Sequence, residues 1–405
     1  MSALFPFRAL RPAVAAAARV ASVPYDVVNA AEARELASGN PLSFLHVTRS
    51  EIGLPADVDP YDASVYARAA SNLAALTTSA PLVEDDEPSL YCYRLRMGAH
   101  EQTGLAGCFS VDEYDRGLVK KHEKTRRDKE DDRTRHITEL RAQTGLVFLT
   151  YRASADVNAI VARVCAGAPE YDFTAPDGVV HTLWRVVGAE RDALVATYAA
   201  IDALYIADGH HRAASASRAC HALDAANTAT AESSRFVAVA FPDDQMQILS
   251  YHRVVKDLAG HTTASLLEAI GAVARVAPGG PVPGRAGLVS MFLDGTWYSI
   301  ALPPPDAGAS RADSLDVEIL QRRILEPILA VGDPRVDKRI DFVGGIRGTG
   351  ELERLVASGR AAVAFSMHPV GIADLIAIAD AGGIMPPKST WFEPKLRDGL
   401  LIHRI

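Results

Sequence analysis

The stretch Ala203–Cys220, ALYIADGHHRAASASRAC, concentrates residues that can bind an anion. Leu204–Ile206 is apolar and predicts the end of a buried strand, and the following Asp-Gly pair ends that strand. The Ala- and Ser-rich run from His210 onward predicts a helix whose N-cap is Asp208 or Gly209. The sequence therefore predicts a tight strand-to-helix turn.

Such a turn suits a phosphate, because the first N–H groups of a helix and its dipole both favour negative charge. Gly209 permits close approach of a ligand to the backbone, Arg212 offers a planar fork of donors, and His210 and His211 add two more. Asp208 stands where a carboxylate can hold a metal ion. The alternative stays open that these residues only cap the helix or pair with an acidic neighbour. Adjacent histidines point about 100° apart on a helix, which favours an anion over a shared metal.

The segment Lys120–Arg135 is the densest charge run, with eight basic and five acidic residues among sixteen. One interpretation is a solvated helix held by ion pairs four residues apart, of the type Glu123 with Arg127 and Arg126 with Glu130.

A second interpretation concerns the other face of that predicted helix. Spacings of four, three and four place potential phosphate ligands in one stripe: His122, Arg126, Lys129 and Arg133, with Lys120 at the start of the run. Glu123 lies beside the stripe and is a candidate general base or metal ligand.

A third basic patch occurs near the C-terminal end, in MPPKSTWF at 385–392. Two prolines fix the backbone before Lys388, Ser389 and Thr390, which can bind phosphate from a rigid loop. The glycines of a P-loop are missing, and Trp391 and Phe392 are typical core anchors, so a purely structural role is the alternative.

Tyr25 and Asp26 precede a predicted helix at 30–38 that Asn29 caps. They are either turn residues or part of a substrate site. Phe44–Thr48 alternates weakly and predicts a strand. Alternating residues predict antiparallel hairpins at 90–97 with 104–111 and at 288–293 with 297–302.

Length and composition predict two or three globular units in 405 residues with 48% hydrophobic and 23% charged side chains. The net charge of −8 argues against general nucleic-acid binding. No apolar run is long enough to span a membrane, and we expect a cytoplasmic protein. The four cysteines lack the paired spacing of a zinc site or disulfide framework.

The order of elements predicts a mixed α/β fold. We expect a first domain at 1–257 that contains the ADGHHR turn in a strand-rich core. A second α/β lobe at 258–405 should return the KSTWF loop towards that turn.

Six motifs give the chain a resemblance that extends from end to end: FPFRALRP, VPYDVV, GNPLSFLHVTR, KKHEKTRRDKEDDR, ADGHHR and MPPKSTWFEPKLRDGL. The chain resembles the bacterial family filed as domain of unknown function 1015. Its DGHHRAASA also looks like the phosphate motif of the ParB/sulfiredoxin-like superfamily, which implies a ParB/sulfiredoxin-like core.

The resemblance implies a kinase of free L-serine that makes O-phospho-L-serine, with pyrophosphate, ADP or ATP as donor and Mg²⁺ bound through Asp208. In that scheme His210, His211, Arg212 and Lys388 hold the donor, Arg126 and Lys129 steady the transferring group, and Glu123 takes the hydroxyl proton. A homodimer is compatible with it.

Two other functions remain open. A ParB-like nucleotide-binding regulator without catalytic activity is one, although neither a helix-turn-helix nor a basic tail for DNA is visible. Sulfiredoxin-like chemistry is the other. It needs a cysteine before His211, where this chain has His210, and Cys220 lies about three helical turns away.

Overall fold

A nine-stranded mixed sheet forms the centre of the first of two units, which consists of the chain up to Met246 and Pro394–Ile405. The computed structural model describes residues 3–78 and 81–405. The strands follow the order Val119–Lys120, Leu204–Asp208, Val147–Tyr151, Arg235–Pro242, His100–Ser110, Leu90–Met97, Val180–Val186 and Tyr171–Thr174, with Leu4–Phe5 also on His100–Ser110.

Amphipathic helices cover one face of this sheet and form the largest apolar core with it, around residues such as Leu149, Ile206 and Phe236. The helices of the first unit are Ala17–Val20, Ala30–Ala37, Leu45–Thr48, Ala63–Thr78, Val111–Asp115, Arg127–Leu140, Ala155–Cys165, Gly188–Tyr198 and His210–Ala225. We call Leu204–Asp208 the site strand, His210–Ala225 the site helix and Arg127–Leu140 the charged helix.

The site strand runs antiparallel to Val147–Tyr151, and its register shifts between Ile206 and Asp208. Such an irregularity changes the direction of the side chains beyond it. The last residue of the strand, Asp208, therefore leaves the regular alternation just before the turn.

A four-stranded sheet brings the C-terminal residues into the first unit, in the order Leu82–Glu84, Ala9–Pro12, Ile402–Arg404 and Ala142–Gln143. Asp398 is also fixed by reciprocal backbone hydrogen bonds with Ser22, of 3.1 and 2.9 Å. The segment Pro394–Leu400 is thereby fixed within the first unit.

The second unit, Gln247–Glu393, is built on a six-stranded antiparallel sheet. Its order is Arg275–Pro278, Thr296–Ala301, Leu288–Leu293, Val363–Ser366, Tyr251–Val255 and Ile340–Gly344, and Ile248–Leu249 pairs separately with Trp391–Phe392. The helices are Thr263–Gly271, Asp316–Leu320 with the π-turn Gln321–Leu325, Gly348–Ala357 and Ile372–Asp380.

The predicted mixed α/β class is confirmed, as are both hairpins, the helix capped by Asn29 and the strand-to-helix turn at Asp208–His210. The units divide at 246/247 instead of 257/258, because Tyr251–Val255 pairs with two strands of the second sheet. The last twelve residues belong to the first unit.

Two local predictions are wrong. Leu45–Thr48 is a short helix and not a strand, because its weak alternation also fits a buried helical turn. The charged helix begins only at Arg127, so His122 and Arg126 do not share a helical face with Lys129 and Arg133.

In the described ranges, no helix combines the length and the apolar character that crossing a membrane requires.

We predict that Gly399→Ala strongly destabilises the first unit. Gly399 has a φ of 87°, and an added Cβ would lie 2.6 Å from Cγ of the fully buried Phe44. Backbone strain and overpacking together should lower the free energy of unfolding by about 2–5 kcal/mol in urea unfolding followed by circular dichroism.

Gly98→Ala is the matched control, since Gly98 has a φ of 60° and no atom within 4 Å of the added Cβ. It should cost only about 1 kcal/mol. Equal losses in the two variants would contradict the role of the Phe44 contact.

Candidate functional site

Gly209 makes the turn between the site strand and the site helix possible. It adopts a φ of 93° at the N-cap, and an added Cβ would lie 3.2 Å from Nη1 of Arg212 and 3.4 Å from Cα of Val147. Among the described residues, no side chain caps this helix. Its N-terminus therefore keeps the backbone donors and the dipole that favour an anion.

Arg212 is buried, and its guanidinium is already engaged. Nη2 donates to both carboxylate oxygens of Asp26 at 2.7 and 2.8 Å, and Nη1 donates to the carbonyl of Leu146 at 2.8 Å. A bidentate pair of this kind fixes both partners. The predicted role of Arg212 as a phosphate fork would require the displacement of Asp26, so the geometry favours a positioning role.

Tyr25 and Asp26 lie beside this guanidinium. The sequence allowed them to be either turn residues or part of a substrate site. The Tyr25 ring is buried between two arginines, with its centroid 4.3 Å from Cζ of Arg133 and 5.7 Å from Cζ of Arg212. The Asp26 side chain keeps 35% of its surface exposed. Arg133 also pairs with Asp132 at 2.8 Å, and its role as a phosphate ligand stays a prediction.

Asp398 is a second carboxylate near Arg212, and its Oδ2 is buried without a hydrogen-bond partner in the described part of the chain. Burial raises the pKa of Asp398 to about 7, although Arg212 acts in the opposite direction. Gly145 makes room for this arrangement, because an added Cβ would lie 3.3 Å from Cδ of Arg212 and 3.6 Å from Oδ1 of Asp398.

A small cavity of about 30 Å³ adjoins this group and is lined by Tyr25, Arg133, Gly145 and Arg212 among others. Its volume suits a single water molecule and not a substrate. The carboxylates around Arg212 thus form a packed support under the site.

Asp208 forms an ion pair with Lys395, whose Nζ lies 2.9 Å from Oδ2. Burial by itself would raise the pKa of Asp208, but Lys395 and Arg212 together lower it below its usual value. Asp208 is therefore a stable anion at neutral pH. That state fits a metal ligand and makes Asp208 a weak base.

The two histidines of the turn hold the segment His122–Arg126. Nε2 of His210 accepts the backbone N–H of His122 at 3.4 Å, and Nε2 of His211 accepts that of Arg126 at 3.0 Å. Since Glu123 lies between these two residues in the sequence, the turn fixes the backbone on both sides of it. This role of the histidine pair was not predicted from the sequence.

His210 is buried, and burial lowers its pKa well below the usual value, with a further contribution from His122. The ring is therefore neutral at pH 7. Because Nε2 accepts a hydrogen bond, the proton lies on Nδ1, which is 3.9 Å from Oε2 of Glu123. His210 thus presents an N–H to Glu123 and carries no charge for a phosphate.

His122 supports His210 from the side, with ring centroids 4.5 Å apart and the rings nearly perpendicular. Burial lowers the pKa of His122 to about 4. His122 is therefore neutral at pH 7 and packs against His210. It carries no positive charge for the predicted phosphate.

The remaining basic residues of the charge run lie at different places. Arg126 is exposed and pairs with Asp128, Lys129 donates to Tyr61 at 3.1 Å, and Nζ of Lys120 lies 5.8 Å from the Tyr205 ring centroid. Arg126 adjoins the turn through His211, whereas the other two do not form a common stripe with it.

Lys388, Ser389 and Thr390 belong to the second unit. Ser389 is buried and donates to the carbonyl of Pro386 at 2.6 Å, which is a turn-stabilising contact. Their role in binding the donor phosphate stays a prediction.

Lys395 and Asp398 were missed as site residues. A signal was available, because both lie in the C-terminal motif MPPKSTWFEPKLRDGL. The first half of this motif contains the predicted phosphate ligands Lys388, Ser389 and Thr390. The second half contains Lys395 and Asp398, which lie beside Asp208 and Arg212.

A Mg²⁺ ion fits this donor set only in part. Across residues 3–78 and 81–405, no group of three or more His, Cys, Asp or Glu is arranged around a metal position. Mg²⁺ often binds one or two carboxylates and completes its shell with phosphates and water. Asp208 can act in that way, and the requirement for Mg²⁺ stays a prediction.

The sequence matches the family described as "Protein of unknown function (DUF1015)" over residues 4–318. The chain belongs to this family. No match is found among curated proteins.

Among solved structures, the chain matches a conserved hypothetical protein from Pyrococcus furiosus. It has 13% identity and a TM-score of 0.36, and the match covers 73% of this chain and 94% of the other. A free serine kinase in complex with ADP has 13% identity and a TM-score of 0.37, with coverage of 73% and 92%. SbnI from Staphylococcus aureus has 12% identity and a TM-score of 0.32, with coverage of 72% and 85%.

We predict that Asp398 makes the stability of the first unit depend on pH. Its pKa is about 7 in the folded state and about 4 in an unfolded chain. Between these values the folded state binds more protons, so the free energy of unfolding must fall as pH rises. Urea unfolding at about pH 5 and about pH 8 should show that fall.

Asp398→Asn removes the titrating group and should reduce the fall by about 2–4 kcal/mol. The exposed variant Asp202→Asn is the control and should keep the wild-type pH dependence. An identical pH dependence in Asp398→Asn and wild-type protein would contradict the raised pKa.

Proposed function

We propose that this protein transfers a phosphoryl group to the hydroxyl of free L-serine, with pyrophosphate, ADP or ATP as donor. The observation that carries the proposal is the placement of Glu123 beside the site helix. His210 and His211 accept backbone N–H groups on both sides of it, and His210 Nδ1 lies 3.9 Å from its carboxylate. A carboxylate and an anion-binding helix terminus thus occur together.

Three carboxylates compete for the role of general base, and their environments separate them. Asp208 is held by Lys395, and Asp26 is held in both oxygens by Arg212. Glu123 keeps 44% of its side chain exposed, more than the 35% of Asp26 and the 27% of Asp208, so its carboxylate is the most accessible of the three to a substrate hydroxyl. It is the carboxylate best able to accept a proton from a substrate.

In the proposed reaction Glu123 takes the proton of the serine hydroxyl. At the same time the hydroxyl oxygen of serine forms a bond to the transferred phosphorus. The bond from phosphorus to the bridging donor oxygen breaks, and the leaving group is phosphate, AMP or ADP according to the donor. The N-terminal amides of the site helix and the ammonium of Lys395 stabilise the charge on the phosphates. When bound, Mg²⁺ would supply further charge neutralisation, held by Asp208.

Of the two residues predicted to steady the transferring group, Arg126 is the one that the geometry supports. Its backbone is fixed by His211, and its exposed pair with Asp128 is of a type worth about 0–1 kcal/mol. Such a pair is readily exchanged for a phosphate. Gly209 lets the donor approach, whereas Arg212 and Tyr25 position Asp26.

The acceptor and the ParB/sulfiredoxin-like relationship rest on the resemblance of the motifs. A ³¹P NMR assay of serine with pyrophosphate, ADP or ATP, each with MgCl₂ and with EDTA, tests the reaction. We expect O-phosphoserine from at least one donor, and only with Mg²⁺. Absence of phosphoserine with every donor would overturn the kinase and favour a nucleotide-binding regulator.

We predict that Glu123→Gln lowers kcat by about 10²–10⁴, the usual contribution of a positioned base. Donor affinity should stay nearly unchanged, because the variant keeps the shape of the site and its anion-binding groups. Steady-state kinetics with the donor found above provide the measurement.

Glu139→Gln, in an exposed position of the charged helix, is the matched control and should retain wild-type kcat. Full activity in Glu123→Gln would assign the base to Asp26 or Asp208.

A further inference from the structure

Arg253 of the second unit is a buried cation that has no matching anion among the described residues. Four arginines are buried among the described residues, and three of them pair with carboxylates: Arg11 with Asp85 and Glu170, Arg212 with Asp26, and Arg397 with Asp177. Arg253 is 3% exposed and has no carboxylate within ion-pair distance in the described part of the chain.

The partners of Arg253 are neutral. Nη1 donates to the carbonyl of Tyr251 at 2.9 Å, and Nη2 donates to that of Lys388 at 3.4 Å, near the limit of a hydrogen bond. Its Cζ lies 5.6 Å from the centroid of Phe342. A cation–π contact offsets only a small part of the cost of taking a charge out of water.

Neighbouring side chains do not supply the missing charge. His252 is buried with its pKa lowered to about 4 by burial, so it is neutral. Glu318 acts on Arg253 only through longer-range electrostatics and is itself paired with Arg322. Burial lowers the pKa of Arg253 to about 10, whereas the pKa values of Arg11 and Arg212 are raised.

A second cation contacts the same tyrosine. Nζ of Lys388 is 5.3 Å from the centroid of the Tyr251 ring, and Tyr251 also provides the carbonyl that holds Arg253. Lys388 is exposed and adopts a φ of 57° in a loop whose Ser389 is tied back to Pro386. Lys388 thus contacts the buried guanidinium through its backbone carbonyl and the Tyr251 ring through its ammonium.

We propose that Arg253 and Lys388 form an oxyanion site of the second unit, which takes inorganic phosphate or a terminal phosphate of a larger ligand. A phosphate oxygen would replace the long contact from Arg253 to the Lys388 carbonyl and supply the missing negative charge. A guanidinium fork and an ammonium are the donors that phosphate prefers. In this proposal Lys388 serves the second unit in place of the donor-binding role predicted from the sequence, and the site does not rest on phosphoryl transfer by the first unit.

Trp391 offers a local reporter, because its ring lies 5.1 Å from that of Tyr251. The chain contains three tryptophans, so the full-length variant Trp184→Phe/Trp297→Phe leaves Trp391 as the single fluorophore. Its fluorescence should saturate during titration with sodium phosphate or pyrophosphate at constant ionic strength. Sodium chloride and sodium acetate should give no saturable change.

In this background Arg253→Met should weaken phosphate binding by about 10- to 100-fold, the range for losing charge-assisted hydrogen bonds. Arg335→Met, which removes an exposed arginine of the same unit, is the control and should bind as the reporter does. If Arg253→Met fails to fold, Lys388→Met provides the same test, since that side chain is exposed.

The proposed site would be overturned if phosphate left the Trp391 fluorescence unchanged. Equal phosphate affinities in the reporter, Arg253→Met and Lys388→Met would also overturn it, and Arg253 would then only stabilise the loop through the Lys388 carbonyl. Glu123→Gln should bind phosphate at Trp391 unchanged. Failure of the kinase assay with intact Trp391 binding would overturn only the proposed reaction.

Discussion

The ion pair between the buried Arg212 and the partly exposed Asp26 is the interaction on which the candidate site depends. It joins the site helix to a loop 186 residues away in sequence, and the same guanidinium binds the Leu146 carbonyl. Removing Asp26 would leave the buried charge of Arg212 uncompensated, a loss of up to about 3–5 kcal/mol by comparison with fully buried pairs. The first unit therefore keeps the site helix, the Asp26 loop and the adjoining strand in one arrangement.

Each residue of the turn Asp208–Arg212 stabilises a different part of the site. Gly209 provides the backbone conformation, Asp208 binds Lys395, and Arg212 binds Asp26. The two histidines hold the irregular segment that carries Glu123. A neutral imidazole is suited to this, because it can accept a backbone N–H with one nitrogen and present a donor with the other. Burial keeps His210 in that state and so links packing to the electrostatics of the site.

How much of this could be predicted depends on whether the signal is local. The strand, the glycine turn and the helix at 204–225 follow from neighbouring residues, and the structure has them where the sequence predicts them. The charge run predicts one continuous helix that includes His122–Arg126, and this prediction is wrong. Contacts with His210 and His211 hold that segment outside the helix. Lys395 and Asp398 reach the turn through the pairing of the C-terminal strand, which no short-range pattern reports.

Arg212 and Arg253 show why a buried arginine alone does not identify a ligand site. Both are shielded from water, and both follow a histidine in the sequence. Arg212 has an internal carboxylate in bidentate geometry, so its charge is satisfied and it acts on the shape of the protein. Arg253 has carbonyls and an aromatic ring, which offset only part of the desolvation cost. The deciding quantity is the negative charge within reach of the guanidinium. By that criterion Arg212 supports a site made of other residues, whereas Arg253 is itself a ligand-binding group.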